Sequence, residues 1–393
     1  MRQLRLRIVS ERQELRSEYM LDEVVLVGAE EDARYSRHRL GDTVLLVDGC
    51  VRIGVSNCAD HWSYVLERNE ILQLPTTSDG SKLLEISRIT SGDWWRRMMG
   101  IHTEKLNGAG LEIGVIDIGY WRGNSLARSH SVRFRGTRAD YRYCRTEFQR
   151  DDDSHGLTVM QVLTGLLDGS SFIFANAADP DVDRWRPLLS RVVQSIRDLT
   201  RRRVHLINLS LGFMGDSALL REAVQEAFDA GIVCVAAAGN GYSSSVRYPA
   251  RYEEVIGVSG VASSGQGPTQ SLIGLRQRHA ETEGLVGGPV PCGGSIFVDR
   301  WSAQGQGIDA AGPSAGVCIP TDAGHIADYW GTSYACPIVL AILAGTMNAD
   351  PSWKSLRGRD RSEAVRALLQ QICRRHGLLP KYVGWGVPTL HGQ

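Results

Sequence analysis

The stretch Gly331-Thr332-Ser333-Tyr334-Ala335-Cys336-Pro337 places a serine at the start of a long apolar segment. Aliphatic and small residues continue to Gly345, which predicts a buried helix that is apolar on every side. Pro337 is compatible with this helix, because a proline in the first turn removes an N–H that has no intrahelical partner. A serine at that end faces the positive end of the helix dipole, where developing negative charge is stabilised. Ser333 is therefore a candidate nucleophile, although taken alone it is also an ordinary helix cap.

The composition points to a soluble protein. Of its 393 residues, 44 are basic and 44 are acidic, so the formal net charge is zero. This balance gives no reason to expect a nucleic acid or an anionic membrane as partner. The first residues lack the apolar core of a signal peptide, and no uninterrupted apolar run reaches the roughly 18 residues of a membrane span. We therefore expect a cytoplasmic protein.

Cysteine usage favours reduced thiols. The 8 cysteines are scattered, without a Cys-x-x-Cys pair, which argues against a zinc site. Cys234 and Cys336 lie among apolar or small residues and are expected to be packing residues rather than nucleophiles. We expect no cofactor.

Residues 1–90 are predicted to form a small β-rich domain. Thr43–Val47 and residues 51–55 flank Asp48-Gly49 in a hairpin pattern, and a turn-rich linker follows at residues 76–81. No pattern of catalytic residues occurs in this part, so we expect a regulatory or partner-binding domain. Residues 91–393 are predicted to form the second domain.

In the second domain, predicted strands alternate with predicted helices. An approach helix is predicted at residues 94–106, and the later helices lie at 157–167, 187–200, 218–230 and 361–376. Buried strands are predicted at 111–117, 204–209, 232–237 and 255–258. Units of this length predict an α/β fold with a parallel sheet covered by helices on both faces. The glycine-rich segment 263–298 is too long for an ordinary connection and is predicted to be an irregular surface insertion.

Three further polar residues lie where such a sheet places functional groups. Asp117 ends a strand, His155 begins a helix, and Asn240 follows another strand. Each has an ordinary explanation as a turn or structural residue. Together with Ser333 they supply an orienting acid, a general base, an oxyanion donor and a nucleophile, in the chain order Asp, His, Ser.

With these residues, the chain resembles the subtilisin-like serine peptidases over roughly residues 94–393. The matching stretches are Val115-Ile116-Asp117-Ile118-Gly119, Ser154-His155-Gly156, Ile207-Asn208-Leu209-Ser210-Leu211-Gly212, Ala236-Ala237-Ala238-Gly239-Asn240, Tyr248-Pro249-Ala250 and the Ser333 stretch. The resemblance implies a three-layer fold with a mostly parallel central sheet. It also implies hydrolysis of protein or peptide substrates by acyl transfer, with the Asn240 amide and the Ser333 N–H as oxyanion donors.

The resemblance further implies where the substrate binds. Ser210, Leu211 and Gly212 would pair with an extended substrate backbone. Ala237, Ala238 and Gly239 would also contact substrate, and the Tyr248-Pro249 peptide bond would be cis.

The chain departs from the family pattern at several positions. Ile118 stands where the family usually has Thr or Ser, and Leu157-Thr158 replaces the usual Thr-His. These changes retain the four catalytic groups and concern the hydrogen bonding around Asp117 and the packing of the helix that His155 begins. Cys336 and Ile338 also depart from the common residues, and no certain counterpart of the family's calcium sites is recognisable.

Arg247 departs from the family at the base of the specificity pocket, where the residue is commonly small. If the guanidinium points inward, it would pair with a substrate Asp or Glu, which predicts cleavage after acidic residues. If it points outward, it would reach solvent or pair with Glu253 or Glu254.

Two other functions compete with peptidase activity. A catalytically silent scaffold would use the same fold as a protein-binding module. An α/β-hydrolase would need a G-x-S-x-G elbow and the order Ser, acid, His, which this chain lacks.

Overall fold

The computed structural model describes residues 94–102, 105–118, 155–179, 183–241, 244–266, 272–320 and 326–390, together with the backbone of several isolated strands. Six of those strands precede residue 94. They are β1 (Gln3–Ser10), β2 (Val24–Val27), β3 (Ser36–Leu40), β4 (Thr43–Val47), β5 (Ile53–Cys58) and β6 (His61–Glu67).

The strands before residue 94 pair differently from the prediction. One sheet has the order β2-β1-β4-β3, and β5 pairs with β6. The predicted hairpin across Asp48-Gly49 is therefore wrong, because β4 and β5 are not partners. The observed hairpins close over two residues, from Leu40 to Thr43 and from Cys58 to His61, and connections of that length favour hairpins. The domain boundary near residue 90 stays a prediction.

The second part of the chain alternates helices and strands. The helices are α1 (Trp94–Met98), α2 (His155–Leu166), α3 (Leu189–Arg201), α4 (Ala218–Asp229), α5 (Leu272–Thr282), α6 (Thr332–Ala349), α7 (Gly358–Ile372) and α8 (Pro380–Val383), with a 3-10 helix at Pro351–Ser355. The strands of the central sheet are β8 (Glu112–Asp117), β9 (Val132–Arg135), β11 (Ser171–Asn176), β14 (Leu206–Leu209), β15 (Val233–Ala237), β16 (Val255–Ser263), β17 (Val286–Pro289), β18 (Ser295–Val298) and β19 (Ala310–Pro313).

Eight further strands that the structure describes lie outside the central sheet. They are β7 (Leu106–Asn107), β10 (Leu167–Asp168), β12 (Ala178–Asp179), β13 (Asp183–Pro187), β20 (Val317–Pro320), β21 (Ile326–Tyr329), β22 (Cys373–Arg374) and β23 (Val387–Pro388). The β20-β21 pair continues into β6 and β5.

Helix α1 ends at Met98, so the approach helix predicted to residue 106 is shorter than expected.

The central sheet is mostly parallel. Its order is β17-β18-β16-β15-β14-β8-β11-β9, and β19 pairs with β16 beside β18. Among the strands that the structure describes in this sheet, only β17 and β18 run antiparallel to their neighbours. Along β8, Ile113 and Val115 join the core on one face while Ile116 joins the core on the other, as strand geometry requires. The predicted three-layer α/β architecture is confirmed.

Helix α6 crosses the middle of one core layer. It has 18 residues and a mean hydropathy of 1.3, enough to cross a membrane by length and composition, but 78% of it is buried inside the protein. Because the helix begins at Thr332, Pro337 lies in its second turn, and the prediction of a first-turn proline is wrong. The missing N–H of Pro337 deprives the Ser333 carbonyl of its ordinary intrahelical donor.

The segment 263–298 was predicted to be irregular, and this is wrong for much of its length. It contains α5 and the hairpin β17-β18, and β18 extends the central sheet beside β16. Ile296, Phe297 and Val298 are buried there. Glycines around these short elements hide the apolar pattern, which is why the sequence does not reveal them.

Candidate active site

Three parallel strands bring their carboxyl ends to one edge of the sheet. Strand β8 ends at Asp117, β14 ends just before Ser210, and β15 ends at Ala237. Since β14 pairs with both β8 and β15, these ends are neighbours. The crevice outside this edge is where open α/β sheets bind ligands.

Asp117 and His155 form a buried hydrogen-bonded pair. His155 Nδ1 lies 2.6 Å from Asp117 Oδ1, and the two residues are 5% and 1% exposed. The Ile118 N–H donates to the same carboxylate oxygen at 2.7 Å, and the Gly156 N–H donates to the Ile118 carbonyl at 2.8 Å. A Cβ at position 156 would lie 2.4 Å from that carbonyl oxygen, so only glycine allows this approach. The sequence pair His-Gly thus fixes the imidazole against the acid.

The second carboxylate oxygen of Asp117 differs from the first in its partners. Oδ2 is buried and accepts no hydrogen bond from any residue that the structure describes. The Ile118 side chain is apolar and packs into the core, so it supplies no hydroxyl donor. Position 118 therefore supplies no side-chain donor to this oxygen.

Ser333 lies in the first turn of α6 and is 3% exposed. Its hydroxyl donates to the Ser210 carbonyl at 3.2 Å, and the Ser210 hydroxyl donates to the Ser333 carbonyl at 2.8 Å. The Ser210 hydroxyl in turn accepts from the Asn208 amide at 3.0 Å. Sequence reasoning assigned no role to the Asn208 side chain, although a polar residue inside the apolar strand β14 was the available signal.

Cys336 completes this buried network. Its thiol donates to Asn208 Oδ1 and to the Val235 carbonyl, both at 3.3 Å. Complete burial raises the pKa of the Cys336 thiol to about 12, so the sulfur stays protonated. The prediction that Cys336 is a packing residue is confirmed.

Asn240 is oriented by Thr332, the residue before the serine. The Thr332 N–H donates to Asn240 Oδ1 at 2.8 Å, and the Thr332 hydroxyl donates to the same oxygen at 2.9 Å. Because two donors fix the oxygen, the amide nitrogen must point the other way. It lies over Gly331, where a Cβ would come within 2.7 Å of Nδ2. Thr332 was not predicted to have this orienting role.

Arg247 points inward. It is 7% exposed, and its side chain passes between Gly212 and Gly239, where a Cβ at either position would lie 2.9 Å from an Arg247 carbon. The Arg247 N–H donates to the Ala238 carbonyl at 2.9 Å. The aliphatic part of the side chain and Nε therefore lie between the two predicted substrate-binding segments, whereas Glu253, a predicted outward partner, is exposed.

The remaining predicted residues lie in the same region. Ser210, Leu211, Ala237 and Ala238 are buried, and the Tyr248-Pro249 peptide bond is cis. Among the residues with described placement, no group of three or more His, Cys, Asp or Glu side chains is positioned to hold a metal ion.

Tyr334, on α6, links the helix that carries Ser333 to His155. Its ring centroid lies 6.1 Å from that of His155, and its hydroxyl lies 3.3 Å from Thr158 Oγ1. Thr158 donates to the His155 carbonyl at 2.9 Å. Helices α2 and α6 are thereby held together beside the imidazole.

Comparison with known proteins agrees with this geometry. The sequence model of the Subtilase family, peptidase S8, matches residues 188–386, just over half of the chain. Subtilisin amylosacchariticus from Bacillus subtilis subsp. amylosacchariticus is 26% identical over 283 residues, which cover 68% of this chain and 64% of that protein. The chain thus spans less than two thirds of that relative. A thermostable alkaline protease from Halalkalibacterium halodurans is 30% identical over 180 residues, covering 44% of this chain and 47% of that protein.

Solved structures show the same fold. Sphericase aligns with a TM-score of 0.56 and 18% identity, covering 78% of this chain and 97% of that structure. This likeness concerns the fold alone. The match of the family model to residues 188–386, more than half of the chain, shows that the chain belongs to the subtilase family.

Proposed function

We propose that this protein is a serine endopeptidase that uses Asp117, His155 and Ser333. The observation that carries the proposal is the buried 2.6 Å contact between His155 Nδ1 and Asp117 Oδ1. This contact supports the proposal because it fixes the imidazole against an acid, as a general base requires, and the Tyr334 ring next to Ser333 packs near the same imidazole.

In the proposed reaction, His155 takes the proton from the Ser333 hydroxyl as Oγ attacks a peptide carbonyl. Asp117 stabilises the resulting imidazolium. The proton then passes to the leaving amine, and the acyl-enzyme is hydrolysed by water that His155 activates in the same way. No cofactor takes part.

The oxyanion of the tetrahedral intermediate would be held by Asn240 Nδ2 and the Ser333 N–H. The anchoring of Asn240 Oδ1 by Thr332 supports this role, because it pre-orients the amide before charge develops. The first turn of α6 adds the positive end of a helix dipole.

A fluorophosphonate probe tests this proposal, because it labels only an activated serine. We expect labelling at Ser333 and hydrolysis of a peptide library by the wild type, and neither by Ser333→Ala. The variant should remain folded, since one hydroxyl is lost and no core volume changes. An unlabelled, folded wild type without hydrolysis would favour the silent binding scaffold instead.

We further propose cleavage after acidic residues. The Arg247 side chain lies between Gly212 and Gly239, within the pocket proposed for the substrate residue before the scissile bond. A guanidinium in such a partly dry pocket forms a bidentate pair with a carboxylate. A charge-assisted hydrogen bond of about 1.5 to 3 kcal/mol corresponds to a preference of roughly 10- to 150-fold in kcat/KM.

Profiling of cleavage sites in the peptide library tests this preference. The wild type should favour Asp or Glu before the cut, and Arg247→Gly should lose that preference while retaining cleavage. An unchanged profile in the variant, or a wild type that favours large apolar residues, would contradict the assignment of Arg247.

We also propose a cytoplasmic setting and a regulatory or partner-binding role for residues 1–90. Support comes from the balanced charge and the scattered cysteines of the whole sequence. Protein or peptide substrates, not nucleic acids or membranes, are the proposed partners.

A further inference from the structure

A buried ion pair lies behind the loops that carry Asn240 and Ser333. Arg276, on α5, donates through Nη1 to both carboxylate oxygens of Asp299, at 2.7 and 2.8 Å. The residues are 4% and 1% exposed. Burying two charges costs desolvation that their attraction barely offsets, so stability alone is a weak reason for such a pair.

Asp299 is connected to the nucleophile loop through one serine. The Ser314 hydroxyl donates to Asp299 Oδ2 at 2.7 Å. The Ser314 carbonyl accepts from the Gly331 N–H, also at 2.7 Å. Gly331 directly precedes Thr332 and Ser333. The Thr332 N–H in turn donates to the Asn240 side chain and orients it.

Asp299 is also connected to the Asn240 loop. The Trp301 N–H donates to Asp299 Oδ1 at 3.3 Å, which fixes the start of the segment that follows. The Trp301 carbonyl accepts from the Gly241 N–H at 2.7 Å, and the Ala303 N–H donates to the Gly239 carbonyl at 2.9 Å. Asn240 is thus held on both sides by the segment that Asp299 begins.

Arg276 contacts both loops itself. Its guanidinium carbon lies 4.5 Å from the ring centroid of Trp330, which precedes Gly331. The same carbon lies 5.1 Å from the ring centroid of Trp301, on the Asn240 side. The cation therefore lies where the two loops meet.

We propose that Arg276 and Asp299 are positioning residues that set the placement of Asn240 Nδ2 relative to Ser333. This inference rests on the proposed peptidase function. Oxyanion donors act only within a few tenths of an ångström of the developing charge, and a shift of about 1 Å costs roughly 10²-fold in rate. The segment 263–298, which supplies Arg276, thereby contributes to the active site without touching substrate.

Asp299→Asn is the informative variant. It retains the side-chain shape and an acceptor for Ser314, but it removes the charge that holds Arg276. We expect kcat to fall by about 10- to 100-fold while KM changes little, because placement affects the transition state more than substrate binding. As a matched control, Arg366→Gln breaks a partly buried ion pair with Asp309 (3.3 Å) away from these loops, and it should leave kcat unchanged.

A double-mutant cycle separates positioning from general damage. If Asp299 acts through Asn240, Asp299→Asn should have almost no effect on kcat once Asn240→Ala is present. A full, additive loss in that background would overturn the proposal. So would a single Asp299→Asn variant with wild-type kcat.

Hydrogen exchange gives a measure that does not depend on activity. Asp299→Asn should speed amide exchange in peptides that cover residues 239–241 and 330–333, and not in the distant strand β11. If the folded wild type hydrolyses no peptide, the proposed peptidase function fails. The exchange measurement still shows whether Asp299 holds the two loops in place. Unchanged exchange in both segments would overturn it.

Discussion

Ser210 and Ser333 exchange hydrogen bonds: each hydroxyl donates to the other residue's backbone carbonyl, at 2.8 Å from Ser210 and 3.2 Å from Ser333. The cause lies one helical turn further on. Pro337 has no N–H to offer the Ser333 carbonyl, so that buried oxygen needs an outside donor, which Ser210 provides. A proline in the second turn of α6 therefore ties the proposed nucleophile to the proposed substrate-binding strand.

Ser210→Ala should destabilise the protein and slow the reaction. The Ser333 carbonyl would be left buried without its donor, which costs about 1 to 3 kcal/mol. Urea unfolding and peptide kinetics measure the two effects. Ser362→Ala is the matched control, because the Ser362 hydroxyl is also buried and donates to a carbonyl, that of Phe228, at 2.7 Å. It should lose similar stability and retain kcat; equal kcat losses in both variants would contradict a special role for Ser210.

If Ser210 replaces the helical hydrogen bond that Pro337 lacks, the stability lost in Ser210→Ala should depend on the residue at position 337. Pro337→Ala introduces an N–H at position 337 that donates to the Ser333 carbonyl within the helix. Ser210→Ala should then cost less stability in the Pro337→Ala background than in the wild type. Equal losses in both backgrounds, measured by urea unfolding, would show that the Ser210 hydroxyl does not substitute for the missing helical bond.

The sequence predicted the four proposed catalytic residues better than the residues that orient them. Asp117, His155, Asn240 and Ser333 stand in short local motifs at strand ends and helix starts, and the fold brings those ends together. The orienting role of Thr332 depends on contact with a residue 92 positions away, which no local pattern encodes. The same holds for Asp299, whose partners are Arg276 on α5 and Ser314, which directly follows β19.

The direction of Arg247 was open from the sequence for a similar reason. A long cationic side chain at that position reaches either solvent or the pocket, and propensity does not distinguish the two. The Arg247 side chain lies inside the protein because Gly212 and Gly239, which have no side chains, leave room for it between them.

Two substitutions of Asn240 distinguish an oxyanion donor from a residue that only anchors Thr332. Asn240→Ala should lower kcat by about 10²- to 10³-fold with little change in KM, a magnitude that is known from a subtilisin. Asn240→Asp retains an acceptor for Thr332 but presents an oxygen in place of Nδ2, so it should lose at least as much. If Asn240 served only to anchor Thr332, the Asp variant would keep near wild-type kcat in peptide assays.

The proposed regulatory role of residues 1–90 predicts an intact active protein. Mass spectrometry of purified protein during peptide hydrolysis should show the full-length chain, with no cleavage in the linker region at residues 76–93. Ser333→Ala is the control, because it cannot process itself. Quantitative cleavage in that region on activation, absent from the control, would instead identify residues 1–90 as a propeptide.

A half-buried histidine at the end of β14 opposite Ser210 makes the stability of the protein depend on pH. His205 precedes this strand, and its Nδ1 accepts a hydrogen bond from the Glu112 N–H at 3.0 Å. Burial, followed by the positive charges of Arg361 and Lys354, lowers the pKa of His205 from 6.5 to about 4. Between these two values the unfolded chain binds a proton that the folded chain does not, so stability must fall as pH drops from about 6.5 to about 4.

The full shift would correspond to about 3 kcal/mol, and the partial exposure of the ring to solvent reduces this to about 1 to 2 kcal/mol. His205→Asn retains an acceptor for the Glu112 N–H and removes the titrating group. Urea unfolding at several pH values should therefore give a flatter stability curve for the variant below pH 6.5. Carboxylates titrate in both proteins, so the difference between the two curves isolates His205. Parallel curves from pH 7 to pH 4 would show that His205 does not contribute to acid sensitivity.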